Sequence, residues 1–149
     1  MPATVVDDHL LRDVLVGRRD HHLDGVASDG IATTGLWLFR LCSSFADPTV
    51  VGKLSSPVVS LPENLQARFR AQLVELPTTI DVLTLRDMAW PMAVLQTRHR
   101  SEGRSLSAAM VEALAAAHRL GGAIAVSRHD VGPNLRAASE ADGLAFHIL

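Results

Sequence analysis

The chain has 149 residues and a mass of 16.0 kDa, a size at which one hydrophobic core suffices and roughly 70% of the unfolded surface can be buried. Hydrophobic residues make up 48% and charged residues 20%, which excludes the low-hydrophobicity, high-charge regime of disordered chains. A formal net charge of -2 and a pI near 6.4 exclude a global positive field, so any nucleic-acid contact has to be local.

Arginines cluster at Arg18 and Arg19, at Arg68 and Arg70, and at Arg98, Arg100 and Arg104, patches that read first as solvated faces. Cys42 is the only cysteine, so no internal disulfide is expected and the thiol reads as a small buried hydrophobe. No run of 18 apolar residues occurs, and no basic segment precedes the first strand-like run. The expectation is one cytoplasmic domain over residues 1-149, with no membrane partner.

Residues 3–6 are β-prone, and Asp7-Asp8 then opens a helix whose apolar positions, Leu10, Leu11, Val14 and Leu15, share one face before Gly17 stops it. Arg18 to Gly30 carries turn chemistry throughout and predicts an exposed loop. Ile31-Ala32-Thr33 leads to an N-cap at Thr34 or Thr33, after which Leu36, Trp37, Phe39, Leu41 and Phe45 form an apolar helix ended by Asp47-Pro48. Residues 49–61 fit no single element, and Pro62 opens a helix that runs through Val74.

Ile80 to Leu85 is strand-like, and Arg86 to Arg100 is helical with a Pro91 that bends it or marks its start. Ser107 or Ser105 caps an Ala-rich helix, Ala108 to Leu120, ended by Gly121-Gly122. A strand over 123–126, a polar turn over 127–132, a helix over 133–142 and a strand over 144–149 complete the chain. Strands alternating with helices predict an α/β fold: three layers, α/β/α, around a mainly parallel sheet. Ligands bind such sheets beyond the carboxyl ends of the strands, where Asp7, Asp8, Thr33-Thr34 and the Ser127 to Asp130 turn would lie.

Two adjacent carboxylates at a strand end suit a hard cation such as Mg²⁺ or Mn²⁺, although either could instead cap the following helix. Asp20, His21, His22 and Asp24 form a second metal-prone group, read as a solvated loop because its spacing matches no zinc template. Trp37, Phe39 and Phe45 at helical spacing read as core or an oligomer surface, and His118 as exposed.

Val5-Val6-Asp7-Asp8-His9-Leu10-Leu11-Arg12 resembles the opening of a response-regulator receiver domain. The phosphoacceptor aspartate and the lysine which that resemblance implies are replaced by Ser60 and by Arg128 after Ser127.

A wider resemblance, to the PIN-domain family, spans most of the chain. It begins at Val5-Val6-Asp7 and continues through the strand at Ile80, Leu114-Ala115-Ala116-Ala117-His118-Arg119-Leu120-Gly121, the strand at 123–126, Leu135-Arg136-Ala137-Ala138 and Gly143. The resemblance implies a metal-dependent ribonuclease, often the toxin of a toxin-antitoxin pair, in which about four acidic residues hold one or two Mg or Mn ions. Asp7 matches the first acidic position and Asp130, with His129 beside it, approaches the fourth; the second falls at Thr34 and the third near Met110 or Ala108. Glu112 lies two residues past Met110, about 200° around the helix, and should point elsewhere.

The resemblance therefore implies a catalytic set of Asp7, Asp8 and Asp130, with Asp7 and Asp130 as metal ligands and Asp8 or Thr34 orienting a metal-bound water. With two carboxylates missing, the ion would be held weakly or not at all. The partners implied are RNA, contacted by nearby arginines, an antitoxin-like protein and a second copy of the chain. The alternative is a non-catalytic interaction protein of the same fold.

Overall fold

The computed structural model describes residues 2–18, 21–129 and 131–149, with His21 described in its backbone only. The elements run β1 (Thr4–Val6), α1 (Asp8–Val16), α2 (His21–Val26), β2 (Ile31–Thr34), α3 (Gly35–Ala46), α4 (Ser56–Val59), α5 (Glu63–Val74), β3 (Ile80–Leu83), α6 (Leu85–Ser101), α7 (Ala108–Leu120), β4 (Ile124–Val126), α8 (Pro133–Ala141) and β5 (Phe146–Ile148). The five strands form one all-parallel sheet in the order β3-β2-β1-β4-β5, flanked by helices in a three-layer α/β/α arrangement.

Strand periodicity divides the core between the two faces. Val5, Ala32, Ile124 and Val126 pack with Met88, Leu95, Val111, Leu114, Leu135 and Ala138 of α6, α7 and α8. Their chain neighbours Val6, Ile31 and Ala125 face the other way, onto Leu10, Leu11, Leu15, Leu23, Val58 and Phe69 of α1, α2, α4 and α5. The alternation follows from the two-residue period of a strand. Helix α3 serves both faces, giving Trp37 to one core and Leu41 to the other.

The Ala-rich run of α7 is buried from Ala113 through Ala117, and small side chains let that helix lie close to the sheet. Gly122 permits a second close approach. A Cβ there would enter the van der Waals envelope of the Ala3 carbonyl, which sets the spacing between the chain entering β4 and the chain entering β1.

Several local expectations change. The predicted loop over 18–30 contains α2, because Leu23 and Ala27 are pulled into the core and Thr4 Oγ1 donates to the Val26 carbonyl at 2.7 Å. Leu85 begins α6 rather than ending β3, and Pro91 lies inside that helix without terminating it. Both Pro91 and Asp87, whose carbonyl loses its N–H partner, are exposed, so water can satisfy the carbonyl. Residues 56–59 of the unassigned segment form α4, and Pro62 stands as the N-cap residue of α5.

The chain builds outward from β1 to β3 and then returns through α6 and α7 to place β4 on the other side of β1. The crevice between the carboxyl ends of β1 and β4 is therefore the topological switch point, the usual ligand position in open parallel sheets.

Candidate functional site at the switch point

Asp7 leaves β1 and becomes the N-cap of α1. Its Oδ1 accepts from Leu10 N at 2.9 Å, and its Oδ2 accepts from Ser127 N, at the end of β4, also at 2.9 Å. One side chain thus ties the first helix to the neighbouring strand across the switch point. Asp7 is only 2% exposed, and burial pushes its pKa from 3.8 up to about 6, against the lowering effect of the two backbone N–H groups.

Asp8 is fully buried. Its Oδ1 accepts from His9 N at 2.9 Å and lies 3.0 Å from His9 Nδ1, while its Oδ2 lies 3.3 Å from Arg40 Nε on α3. The hydrogen bond to Asp8 is the main influence raising the pKa of His9, with burial opposing it. Asp7, Asp8 and His9 each bring one ligand atom within 4.8 Å of the others, so the group could hold a metal ion.

The donor set nevertheless fits a divalent ion poorly. Both Asp7 oxygens already accept backbone N–H groups, Asp8 Oδ1 is engaged by His9, and the Arg40 guanidinium stands where it repels a second cation. Asp130, the expected second metal ligand, lies outside the described residues, as do Asp20 and the side chain of His21 from the other metal-prone group.

The two positions where the PIN resemblance implies further acids are accounted for. Thr34 caps α3, its Oγ1 accepting from Trp37 N at 3.2 Å. Met110 lines the cleft, whereas Glu112 turns into the protein interior, 1% exposed, and its Oε1 accepts from Leu36 N at 2.8 Å. Glu112 therefore does point elsewhere, and its carboxylate complements the N-terminus of α3 beside Thr34.

The cleft at this crevice encloses about 360 Å³ and is bordered by Asp7, Trp37, Arg40, Met110, Arg128 and His129, among others. Asp7 is the one carboxylate among its described lining residues, facing two arginines and a histidine. Arg40, which reads in the sequence only as part of an apolar helix, is the one charged residue in the segment that becomes α3.

Of the aromatic residues of α3, Trp37 is buried beside the cleft, Phe45 is half-buried with its ring centroid 4.8 Å from that of Phe69, and Phe39 is 67% exposed. Cys42 is half-buried rather than enclosed, and burial raises its thiol pKa. His118 is exposed as expected, yet its Nε2 lies 2.7 Å from Asp142 Oδ2. Asp142 also binds Arg98 and lies 3.2 Å from His99 Nε2, so the ends of α6, α7 and α8 are knotted together. Among the described residues, no helix is long and apolar enough to cross a membrane. No protein-family model matches the chain, and no curated protein matches it.

Proposed function

We propose that this chain is a divergent PIN-like protein that binds RNA at the switch-point cleft, with an acidic centre too depleted for efficient metal-dependent ribonuclease chemistry. The supporting observation is the charge pattern of the cleft. Its one described carboxylate, Asp7, has both oxygens committed to backbone N–H groups, while Arg40, Arg128 and His129 border the same space. That balance attracts a phosphodiester rather than a Mg²⁺ or Mn²⁺ ion. A toxin-type ribonuclease is then the ancestry implied by the sequence resemblance, and RNA binding is the activity retained.

Fluorescence anisotropy with a labelled single-stranded RNA tests this reading. Binding should weaken with salt, and Arg128→Ala should reduce the slope of log affinity against log salt by about 1, as expected for one lost phosphate contact. Undetectable RNA binding by the wild type would sink it. Mn²⁺-dependent RNA cleavage that disappears in Asp7→Asn would replace it with the active-ribonuclease reading.

A second reading, the non-catalytic interaction protein, draws support from the apolar surface of α6, where Trp90 is 78% exposed, Leu85 54% and Val94 48%. A homodimer or an antitoxin-like peptide would cover such a surface. Light scattering across a concentration series, compared with Trp90→Lys, separates a self-associating chain from a monomer.

A further inference from the structure

His129 borders a second hollow, of about 380 Å³, whose other lining residues are His9, Arg12, Lys53, Ser56 and Pro57. Its volume falls in the range of small-ligand pockets, about 300–1,000 Å³. Every titratable side chain among its described lining residues is basic. No carboxylate stands among those described lining residues, and four cationic or imidazole groups with one hydroxyl form a donor set for an oxyanion.

The hollow is built from interior parts as well as surface ones. The His9 side chain is 7% exposed, and its Nδ1 is engaged by Asp8, which leaves Nε2 as a buried nitrogen without a hydrogen-bond partner, a donor when the ring is an imidazolium. A buried polar atom of this kind calls for a ligand or water to complete it. Arg12, also buried, donates from Nη1 to the carbonyls of Lys53 at 3.3 Å and Leu54 at 3.4 Å, and its Nη2 pairs with Asp13 at 2.9 Å. Arg12 thereby fastens to α1 the turn that carries Lys53 and Ser56. Lys53, Ser56 and His129 are exposed around this floor and can close on a ligand.

We propose that this hollow binds a phosphate monoester, with His9, Lys53, Ser56 and His129 as donors and Arg12 as the buried charge that positions the turn. Because His129 borders both hollows, a strand lying in the cleft would bring its terminal phosphate here. The identification with an RNA end rests on the function proposed above, whereas the phosphate site stands on its own residues.

Isothermal titration of the full chain with inorganic phosphate, and with one oligoribonucleotide carrying either a 5′-phosphate or a 5′-hydroxyl, tests both statements. Saturable phosphate binding is expected, weakened at least tenfold by Lys53→Ala and by His129→Ala. Both side chains are exposed, and Lys53→Ala keeps the carbonyl that Arg12 holds, so far-UV circular dichroism should be unchanged. The 5′-phosphate RNA should bind at least tenfold more tightly than its 5′-hydroxyl form, an advantage lost in Lys53→Ala. Phosphate binding without discrimination between RNA ends would retain the site for a free phosphomonoester and remove the RNA end. Absence of saturable phosphate binding, or binding equal in wild type, Lys53→Ala and His129→Ala, would overturn the site, whatever Arg128→Ala does to RNA affinity.

Discussion

Replacing Asp7 by Asn separates its structural role from its charge. In the folded chain, burial raises the Asp7 pKa from 3.8 to about 6; the neighbouring Asp8 adds to the rise, while Leu10 N, Ser127 N and His9 oppose it. A folded-state pKa above the unfolded value means that the native state binds the proton more tightly. The resulting stabilisation is full below pH 3.8 and is lost as pH rises through about 6. At about 1.4 kcal/mol per pH unit, the difference amounts to about 3 kcal/mol. Because Asp7 is only 2% exposed, solvent screening removes little of it.

Asn cannot titrate, and its single amide oxygen can accept from only one of Leu10 N and Ser127 N, a pH-independent cost of about 1–2 kcal/mol. The stability of Asp7→Asn relative to wild type should therefore improve by about 3 kcal/mol between pH 3.5 and pH 7. Urea denaturation followed by far-UV circular dichroism at half-unit pH steps measures this difference, since groups other than the neighbouring Asp8 and His9 largely cancel. A stability difference that stays constant over that range would refute the assignment of Asp7 as a buried carboxylate strained by ionisation.

Glu112→Ala should destabilise the fold by about 1–2 kcal/mol, because the half-buried Leu36 N would lose its acceptor, and Thr34→Ala by about 1 kcal/mol through loss of the α3 cap; thermal denaturation ranks the two. Asp142→Asn should cost about 1 kcal/mol, since its side chain is 1% exposed but the Arg98 left beside a neutral partner is 44% exposed and stays solvated. Burial raises the Asp142 pKa, but hydrogen bonds from His118, His99 and Arg98 outweigh it and leave the net value below 3.8. Its stabilisation is thus present above pH 3.8 and lost as pH falls through the folded value, and equal acid unfolding of wild type and Asp142→Asn would contradict this. Gly122→Ala should be destabilising by at least about 2 kcal/mol, because Ala3 backbone blocks the new methyl group; an unchanged melting temperature would show that β1 and β4 can separate freely.

Where local chemistry was strong, the sequence sufficed. Ser107, an Ala-rich run and Gly121 delimit α7 as residues 108–120 before any tertiary contact is considered, and the structure has the same bounds. Val5-Val6-Asp7 marks a strand followed by a capped helix for a similar reason, since Asp is a good N-cap and the strand is β-branched. Short elements resisted. The composition of α2 is that of a turn, and only the burial of Leu23 under the sheet makes it helical.

The sequence by itself determined the α/β alternation and the strand ends at which Asp7, Asp8, Thr34 and Ser127 lie. Periodicity and capping are local properties, readable within a few residues. Tertiary structure alone decided how the acidic pair is spent: Asp7 on Ser127, 120 positions away, and Asp8 on Arg40. It also decided that Glu112 reaches Leu36 and that Arg12 fastens the turn at Lys53. Those pairings join segments distant in the chain, and their partners follow from the strand order, which places β4 beside β1 and opens the crevice between them.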